Sequence, residues 1–399
     1  MRFPWTLPFL LGGPTAADFH IPAAGGDFSA EQWLLENGSA LQEKQEEWLR
    51  AGVGALCAPT AFVAQFEPDA DDADDEVKKL NRALLEITQQ TAAKFGVPAG
   101  ARIGGSGLFV PPYGDADFDE IYDGYRNQIR TLEEHKAAFF LLENQSSLAD
   151  MRAAVLAART GGLPVFVTLA ADESGKTLTG GALLPALITL QAMGVEAIGL
   201  GGFLPPSVML PLLKEVLPHA SVPLCAIPCA EGLSPTEFAE QAAALLHLGV
   251  PVLGIGGEHT PAHWRALREV ANRPFELPHQ PVTADTYAAA TEKEVFFLGN
   301  DIMLSEPILC SSSLADDLID LDDERVTAAL VELRSLDDVH LLSETSNMTR
   351  LPLAVRTDSR PILEAALRYV HGRLIVDSNC QIETELIERT AQKYGAIVY

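Results

Sequence analysis

Residues 253–263 read LGIGGEHTPAH. An apolar run (Val252, Leu253, Ile255) breaks on Gly256 and Gly257, then presents Glu258 and His259 ahead of Thr260-Pro261, a helix start with proline at its first position. Acid beside imidazole suits proton transfer or metal ligation. Cys229 and Glu231 follow a second apolar run, and Glu143 closes a third, FFLLEN (139–144). Cys229, Glu258 and His259 are all acceptable ligand types, and Cys225 lies on the same strand face as Cys229. The competing reading makes Cys229 a small half-buried side chain and His259 a loop residue near a helix N-terminus.

Other motifs carry less chemistry. SGKT (174–177) copies the tail of a P-loop, but Ala170 stands where that loop needs its first glycine. GGSG (104–107) follows a strand and offers backbone N–H groups to an anion, although glycine is also ordinary turn chemistry there. Gly104 and Ser106 are therefore candidate substrate-binding residues. DVHLLS (338–343) is similar to the D-x-H-x-x-G loop of cobalamin modules but has Ser343 for the glycine, which leaves His340 as a surface residue. Two acidic runs, EPDADDADDE (67–76) and ADDLIDLDDE (315–324), read as solvated loops, since neither has the spacing of a calcium-binding loop.

These residues need a frame to hold them. The chain has 399 residues, 47% of them hydrophobic, enough for one large core and a smaller appendage. A formal charge of -27 repels phosphate backbones and anionic bilayers, so nucleic acid and membrane are excluded as partners. Five scattered cysteines without C-x-x-C spacing argue for a reducing, cytoplasmic setting. The opening MRFPWTLPFLL is interrupted by Pro4 and Pro8 and reads as a first strand rather than a signal peptide. Gly180, Gly181, Pro185 and Gln191 break the apolar stretch from Thr177 to Val195, which reads as a helix and a buried strand.

Eight short apolar runs alternate with amphipathic segments, the pattern of a parallel sheet: 9–13, 54–59, 101–105, 139–144, 164–169, 197–202, 222–228 and 250–257. Caps support the intervening helices, with Ser29 three residues before Gln32, Ser234 three before Glu237, and glycines at 52, 96, 194 and 249. Eight units match a (βα)8 TIM barrel, and an open doubly wound sheet uses the same local pattern. In a barrel, residues 1–275 form the first domain and the ends of strands six to eight are neighbours at its rim. Prolines accumulate over 272–291, which predicts a linker at 276–291. Residues 292–399 alternate again, as EVFFLG, TAALVELRS, PLAVRT, GRLIVDS and GAIVY, and predict a small α/β domain.

Several stretches together resemble the homocysteine S-methyltransferase family, in particular the homocysteine-binding module of cobalamin-dependent methionine synthases. They are ENGSALQEKQEEWLRAG (36–52), APTA (58–61), GGSGLFVPPYGDADFDEIYDGYRNQIRTL (104–132), LLENQSSLADMRAAVLAAR (141–159), TLTGGALLPALITLQAMGVEAIGLGG (177–202) and LSPTEFAEQAAALLHLGVPVLGIGGEHTPAH (233–263). The resemblance implies three cysteine thiolates holding zinc, with the substrate thiol as fourth ligand. A free thiol of pKa about 8.5 is mostly protonated at neutral pH, and zinc makes it the attacking thiolate.

At the matching positions this chain carries Gly202, where the family has the cysteine of an Asn-Cys pair, and Gly256-Gly257, where it has Cys-Cys. The family's acid after strand one falls on Gly12, and the acid after strand two lies near Cys57 or Ala58. Its Pro-Asn-Ala-Gly after strand seven reads Pro228-Cys229-Ala230-Glu231, and its acid after strand four is kept as Glu143, which the resemblance assigns to the substrate amine. Zinc is the family's cofactor, and no cofactor is expected here. PLAVRTDSRPILEAALRYVHGRLIVDSN (352–379) resembles the opening of a methyltetrahydrofolate-binding barrel, with Asp358 and Asp377-Ser378 at its pterin positions. The unit is too short to close such a barrel, so it is expected to dock on the first domain or on another protein.

Three functions follow. The first is methyl transfer to homocysteine or a related thiol. The second is a binding or accessory protein that keeps the scaffold without the metal and takes a small molecule related to homocysteine or methionine, or a protein partner. The third is metal-free acid-base chemistry by Glu143, Cys229, Glu258 and His259.

Overall fold

Each apolar run forms a parallel strand because its residues are buried on both faces, alternately toward the barrel lumen and toward the helices. The computed structural model describes residues 3–19, 29–61, 73–273, 287–299, 302–321, 325–346 and 348–399. Eight strands close in chain order: β1 (Phe9–Gly12), β2 (Ala55–Ala58), β3 (Ala99–Ile103), β4 (Phe140–Gln145), β5 (Val165–Ala170), β6 (Ala197–Gly201), β7 (Leu224–Ala226) and β8 (Val252–Leu253). Closure comes from β1 against β8, with Phe9 opposite Val252 and Leu10 opposite Leu253. The TIM barrel expected from the pattern is therefore the fold.

The lumen is filled from below. Phe9, Phe139, Phe166, Cys225 and Val252 pack there with Phe3 and Trp5 from the chain ahead of β1. Trp5 stacks on Phe9 at 5.0 Å between ring centroids, and Phe3 stacks on Phe166 at 5.5 Å. Such a floor leaves room for a ligand only at the other end, where the strands finish.

Around the barrel run α1 (Ser29–Glu36), α2 (Gly38–Arg50), α3 (Ala73–Phe95), α4 (Phe118–Glu134), α5 (Leu148–Ala158), α6 (Leu183–Met193), α7 (Pro206–Val216), α8 (Pro235–Leu248) and α9 (Pro261–Ala271). The helix expected over 29–52 is broken at Asn37-Gly38. Local chemistry sets several ends. Ser234 and Glu237 form a reciprocal cap on α8, which closes on Gly249 in the left-handed region. Thr260 caps α9 with His263 as its reciprocal partner. The Ser29 cap lies outside the described side chains.

The C-terminal part begins with an antiparallel hairpin, β9 (Ala288–Ala290) with β10 (Val295–Phe297). Five parallel strands follow in chain order: β11 (Ile308–Leu309), β12 (Ala329–Glu332), β13 (Leu353–Arg356), β14 (Ile375–Val376) and β15 (Ile397–Val398). Four helices alternate with them: α10 (Leu314–Asp320), α11 (Leu336–Thr345), α12 (Arg360–Tyr369) and α13 (Thr384–Tyr394). EVFFLG thus belongs to the hairpin, not to the parallel sheet. The hairpin covers one sheet face, where Ala289 and Phe296 pack with Leu330, Ala354, Ile375 and Ile397. The acidic run at 315–324 is not a plain loop: Leu314, Leu318 and Leu321 fall four and three residues apart and are buried, which makes α10 amphipathic. Most of the segment read as a linker (274–286) and the acidic residues 67–72 and 322–324 lie outside the described residues.

The C-terminal sheet and the barrel share one apolar core. Arg152 on α5 is fully buried and donates to the carbonyls of Leu367, Arg368 and Val370 at the end of α12. Glu292 accepts from Thr179 and from the Leu148 backbone, and the Tyr369 hydroxyl donates to Asp119 at 2.9 Å. At the sheet's strand ends Asp377 accepts from Arg356 Nε at 2.6 Å, and Asp358 accepts from the Gln381 backbone at 2.8 Å. His340 is exposed on α11, its ring 5.3 Å from Tyr369.

Candidate binding site at the barrel mouth

A cavity of about 730 Å³ opens where the barrel strands end. Glu143, Glu258, His259, Gly202, Gly256 and Gly257 all line it. Of the sequence-predicted residues, Gly104, Ser106, Cys225 and Cys229 do not. Ser106 turns to Asp150, its Oγ donating at 2.7 Å and its N–H at 3.2 Å, while the Gly104 N–H donates to Ala61. Cys229 is buried just beneath the rim, where its Sγ fills the space that a Cβ on Gly257 would take. Cys225 lies deeper, in the floor, with its thiol against the Val167 carbonyl and burial pushing its pKa far up.

Glu143 reaches the mouth through an irregular strand. The β4–β5 register shifts between Leu142 and Gln145, and Asn144 takes φ of 56°. Regular alternation turns one of two successive residues inward, whereas this bulge brings both Glu143 and Asn144 to the cavity. The Asn144 N–H is held by the Thr168 hydroxyl at 3.1 Å.

Across from Glu143 stands Arg102, in the middle of apolar β3 and only 7% exposed. Its Nε lies 2.9 Å from Glu143 Oε2. Burial works against charge on this guanidinium, but Glu143, and Asp18 further off, hold it firmly protonated. Asp18 itself accepts from the Thr15 N–H at 2.7 Å and its hydroxyl at 3.1 Å.

The opposite wall is aromatic. The His259 ring lies 4.6 Å from that of Trp48 and 5.9 Å from that of Trp264. Its Nδ1 faces the Gly257 carbonyl at 2.9 Å, which assigns the proton to Nδ1 and leaves Nε2 a lone pair. Nε2 has no hydrogen-bond partner among the described residues, and burial lowers the pKa of the ring, favouring its neutral form.

The family model described as homocysteine S-methyltransferase matches residues 15–271. The chain belongs to the homocysteine S-methyltransferase family. Among curated proteins it is 24% identical to the methionine synthase of Mycobacterium tuberculosis over 351 residues, 77% of this chain and 29% of that protein. The methionine synthase of Mycobacterium leprae gives the same identity over 355 residues, with the same coverage. The chain thus spans under a third of the length of these relatives. Of solved structures, the metallated form of the homocysteine methyltransferase MmuM from Escherichia coli has TM-score 0.54 at 18% identity, covering 65% of this chain and 95% of that one. The apo form of the same protein has TM-score 0.54 at 16% identity. These structures bear on the fold alone.

Gly202, Gly256 and Gly257 line the mouth, and glycine supplies no side-chain donor. Among the described residues no group of three His, Cys, Asp or Glu side chains is placed to hold a metal ion, so Cys229, Glu258 and His259 do not assemble into a substitute set. Arg102, Asn144 and Trp48 were not singled out from sequence. A charged residue inside a strand that is otherwise apolar was the available signal for Arg102. For Asn144 and Trp48 there was none, because a bulge and a helix-to-rim contact are tertiary facts.

Proposed function

We propose that this homocysteine S-methyltransferase family member binds a small molecule related to homocysteine or methionine at the barrel mouth and does not perform zinc-dependent methyl transfer. The observation that carries the reading is a well-formed, charged cavity whose rim has glycine at Gly202, Gly256 and Gly257. A carboxylate, Glu143, lines this cavity and supports the reading as the group to meet a ligand ammonium. Among the described residues nothing at the rim offers three thiolates to hold a zinc ion, the group that would lower a substrate thiol's pKa. The lone pair of His259 does not replace it, since a base held neutral by burial takes a proton from a thiol only weakly.

The reading is tested by thermal shift with L-homocysteine and L-methionine, each with and without zinc, beside a methyl-transfer assay at saturating zinc. A ligand at a hundred times its Kd stabilises by about 2.7 kcal/mol. The expected result is stabilisation by one of the amino acids, independent of zinc, and no product. Zinc-dependent product formation contradicts it.

A further inference from the structure

We propose that Arg102 is a specificity-determining residue of this cavity: it binds the carboxylate of an α-amino acid whose ammonium is held by Glu143. The inference rests on the reading that the barrel mouth takes a ligand related to homocysteine or methionine, and it names the chemical class the cavity selects.

The placement of Arg102 is built in. Ala101 and Ile103, its neighbours on β3, belong to the core between the barrel and its helices, so strand alternation sends Arg102 into the lumen. The same face carries Gly100, whose absent side chain makes room for Phe139 in the floor. Arg102 thus sits one layer above the aromatic plug and lines the cavity's inner end.

Among the described residues none accepts a side-chain hydrogen bond from Arg102. A guanidinium has five N–H donors. Arg102 makes no side-chain hydrogen bond to a described residue: Glu143 lies close to Nε, but off the N–H direction. Glu143 likewise accepts no hydrogen bond from a described residue, and Asp18 is turned to Thr15. The pair with Glu143 offsets the burial of charge, but Arg102 Nε is a buried donor without a hydrogen-bond acceptor among the described residues, and buried polar groups are almost always satisfied. The open donors therefore point to a ligand that supplies the acceptor.

The charge pattern decides which ligand. A simple amine drawn to Glu143 meets Arg102 beside it, and a simple carboxylate drawn to Arg102 meets Glu143. A zwitterion presents both charges within one small head group, so each is matched and a planar carboxylate gains paired hydrogen bonds from the guanidinium. The remaining acids at the mouth, Glu231 and Glu258, are exposed at its outer rim. The thioether or thiol tail extends toward the wall of Trp48 and His259.

Titration calorimetry of the full chain tests this with L-homocysteine and L-methionine, and with the decarboxylated amine and the deaminated acid of each. The wild-type chain is expected to bind one of the amino acids about tenfold or more tighter than either truncated analogue. Arg102→Gln is expected to collapse the preference for the amino acid over the amine to nearly onefold, and Arg102→Lys to keep part of it. Equal binding of amino acid and amine by the wild-type chain overturns the proposal while leaving the parent reading intact. So does an unchanged ratio in Arg102→Gln. Absence of binding by all six compounds overturns the parent reading and this proposal together. The wild-type comparison alters the ligand and not the protein, so it stands even where a variant fails to fold.

Discussion

At Gly257 a single backbone position links sulfur, strain and space. Its φ is 67°, and a Cβ there would collide with Cys229 Sγ. Left-handed backbone costs an L-residue about 1–2 kcal/mol before the collision is counted. Gly257→Ala is therefore expected to lower unfolding stability by about 2 kcal/mol or more in urea denaturation. Adding Cys229→Ala should restore the steric part and leave the conformational part. Gly256 differs, since a Cβ there meets nothing nearer than 3.5 Å; around Gly202 the nearest atom lies 3.8 Å away, but its φ of 88° still costs an L-residue about 1–2 kcal/mol. Gly202→Cys with Gly256→Cys is expected to fold with some loss of stability and, with Cys229, to bind zinc more tightly than the wild-type chain, read by a chromophoric zinc competitor. No gain of zinc by the folded double variant would show that these positions do not face one another as described.

Asp150 gives a prediction in pH. Burial pushes its pKa up to about 6, partly countered by hydrogen bonds from Ser106 and Tyr125. The folded value lies above the unfolded one of about 3.9, so its favourable contribution is complete below that value and is lost as pH rises through about 6. Asp150→Asn should gain on the wild-type chain by up to roughly 3 kcal/mol between about pH 4 and pH 7, followed by denaturant midpoints. A constant difference across that range would contradict the assignment.

Among the elements, the decisive one is the bulge in β4. Asn144→Gly should be nearly neutral, since glycine takes its backbone angle freely, whereas Asn144→Val should cost about 1–3 kcal/mol and weaken ligand binding by turning Glu143 away. Denaturation and titration of the two variants separate backbone geometry from side-chain loss. The barrel was legible because each strand is an apolar run and most helices carry a cap or terminal glycine, signals that lie in neighbouring residues. Glu143, Glu258 and His259 were legible as strand-end residues for the same reason. Arg102 and Trp48 were not, since what makes them part of the cavity is which strand or helix stands opposite. In α10 the abundance of aspartates masked the spacing of Leu314, Leu318 and Leu321, and apolar periodicity outweighs charge when one face is covered. Ser106 shows the reverse: a loop composition suited to anion binding is instead tied down by Asp150.

For the molecule as a whole, the joint between barrel and C-terminal sheet rests on Arg152, whose pKa burial lowers to about 10 and which stays charged at neutral pH. The neighbouring His371 is half-buried and, pushed down to about 3 by burial of its ring and by Arg152, stays neutral. Arg152→Leu leaves three backbone carbonyls at the end of α12 without their donor, at about 1–3 kcal/mol for each one left unsatisfied. Faster amide exchange in α12, with the barrel strands unchanged, is the expected readout. Among the described residues no helix is long and apolar enough to cross a membrane. The central claim concerns the metal, and equilibrium dialysis of the wild-type chain against zinc, followed by elemental analysis, addresses it directly. The account predicts far less than one tightly held zinc per chain; one zinc per chain, retained against a chelator, would contradict it.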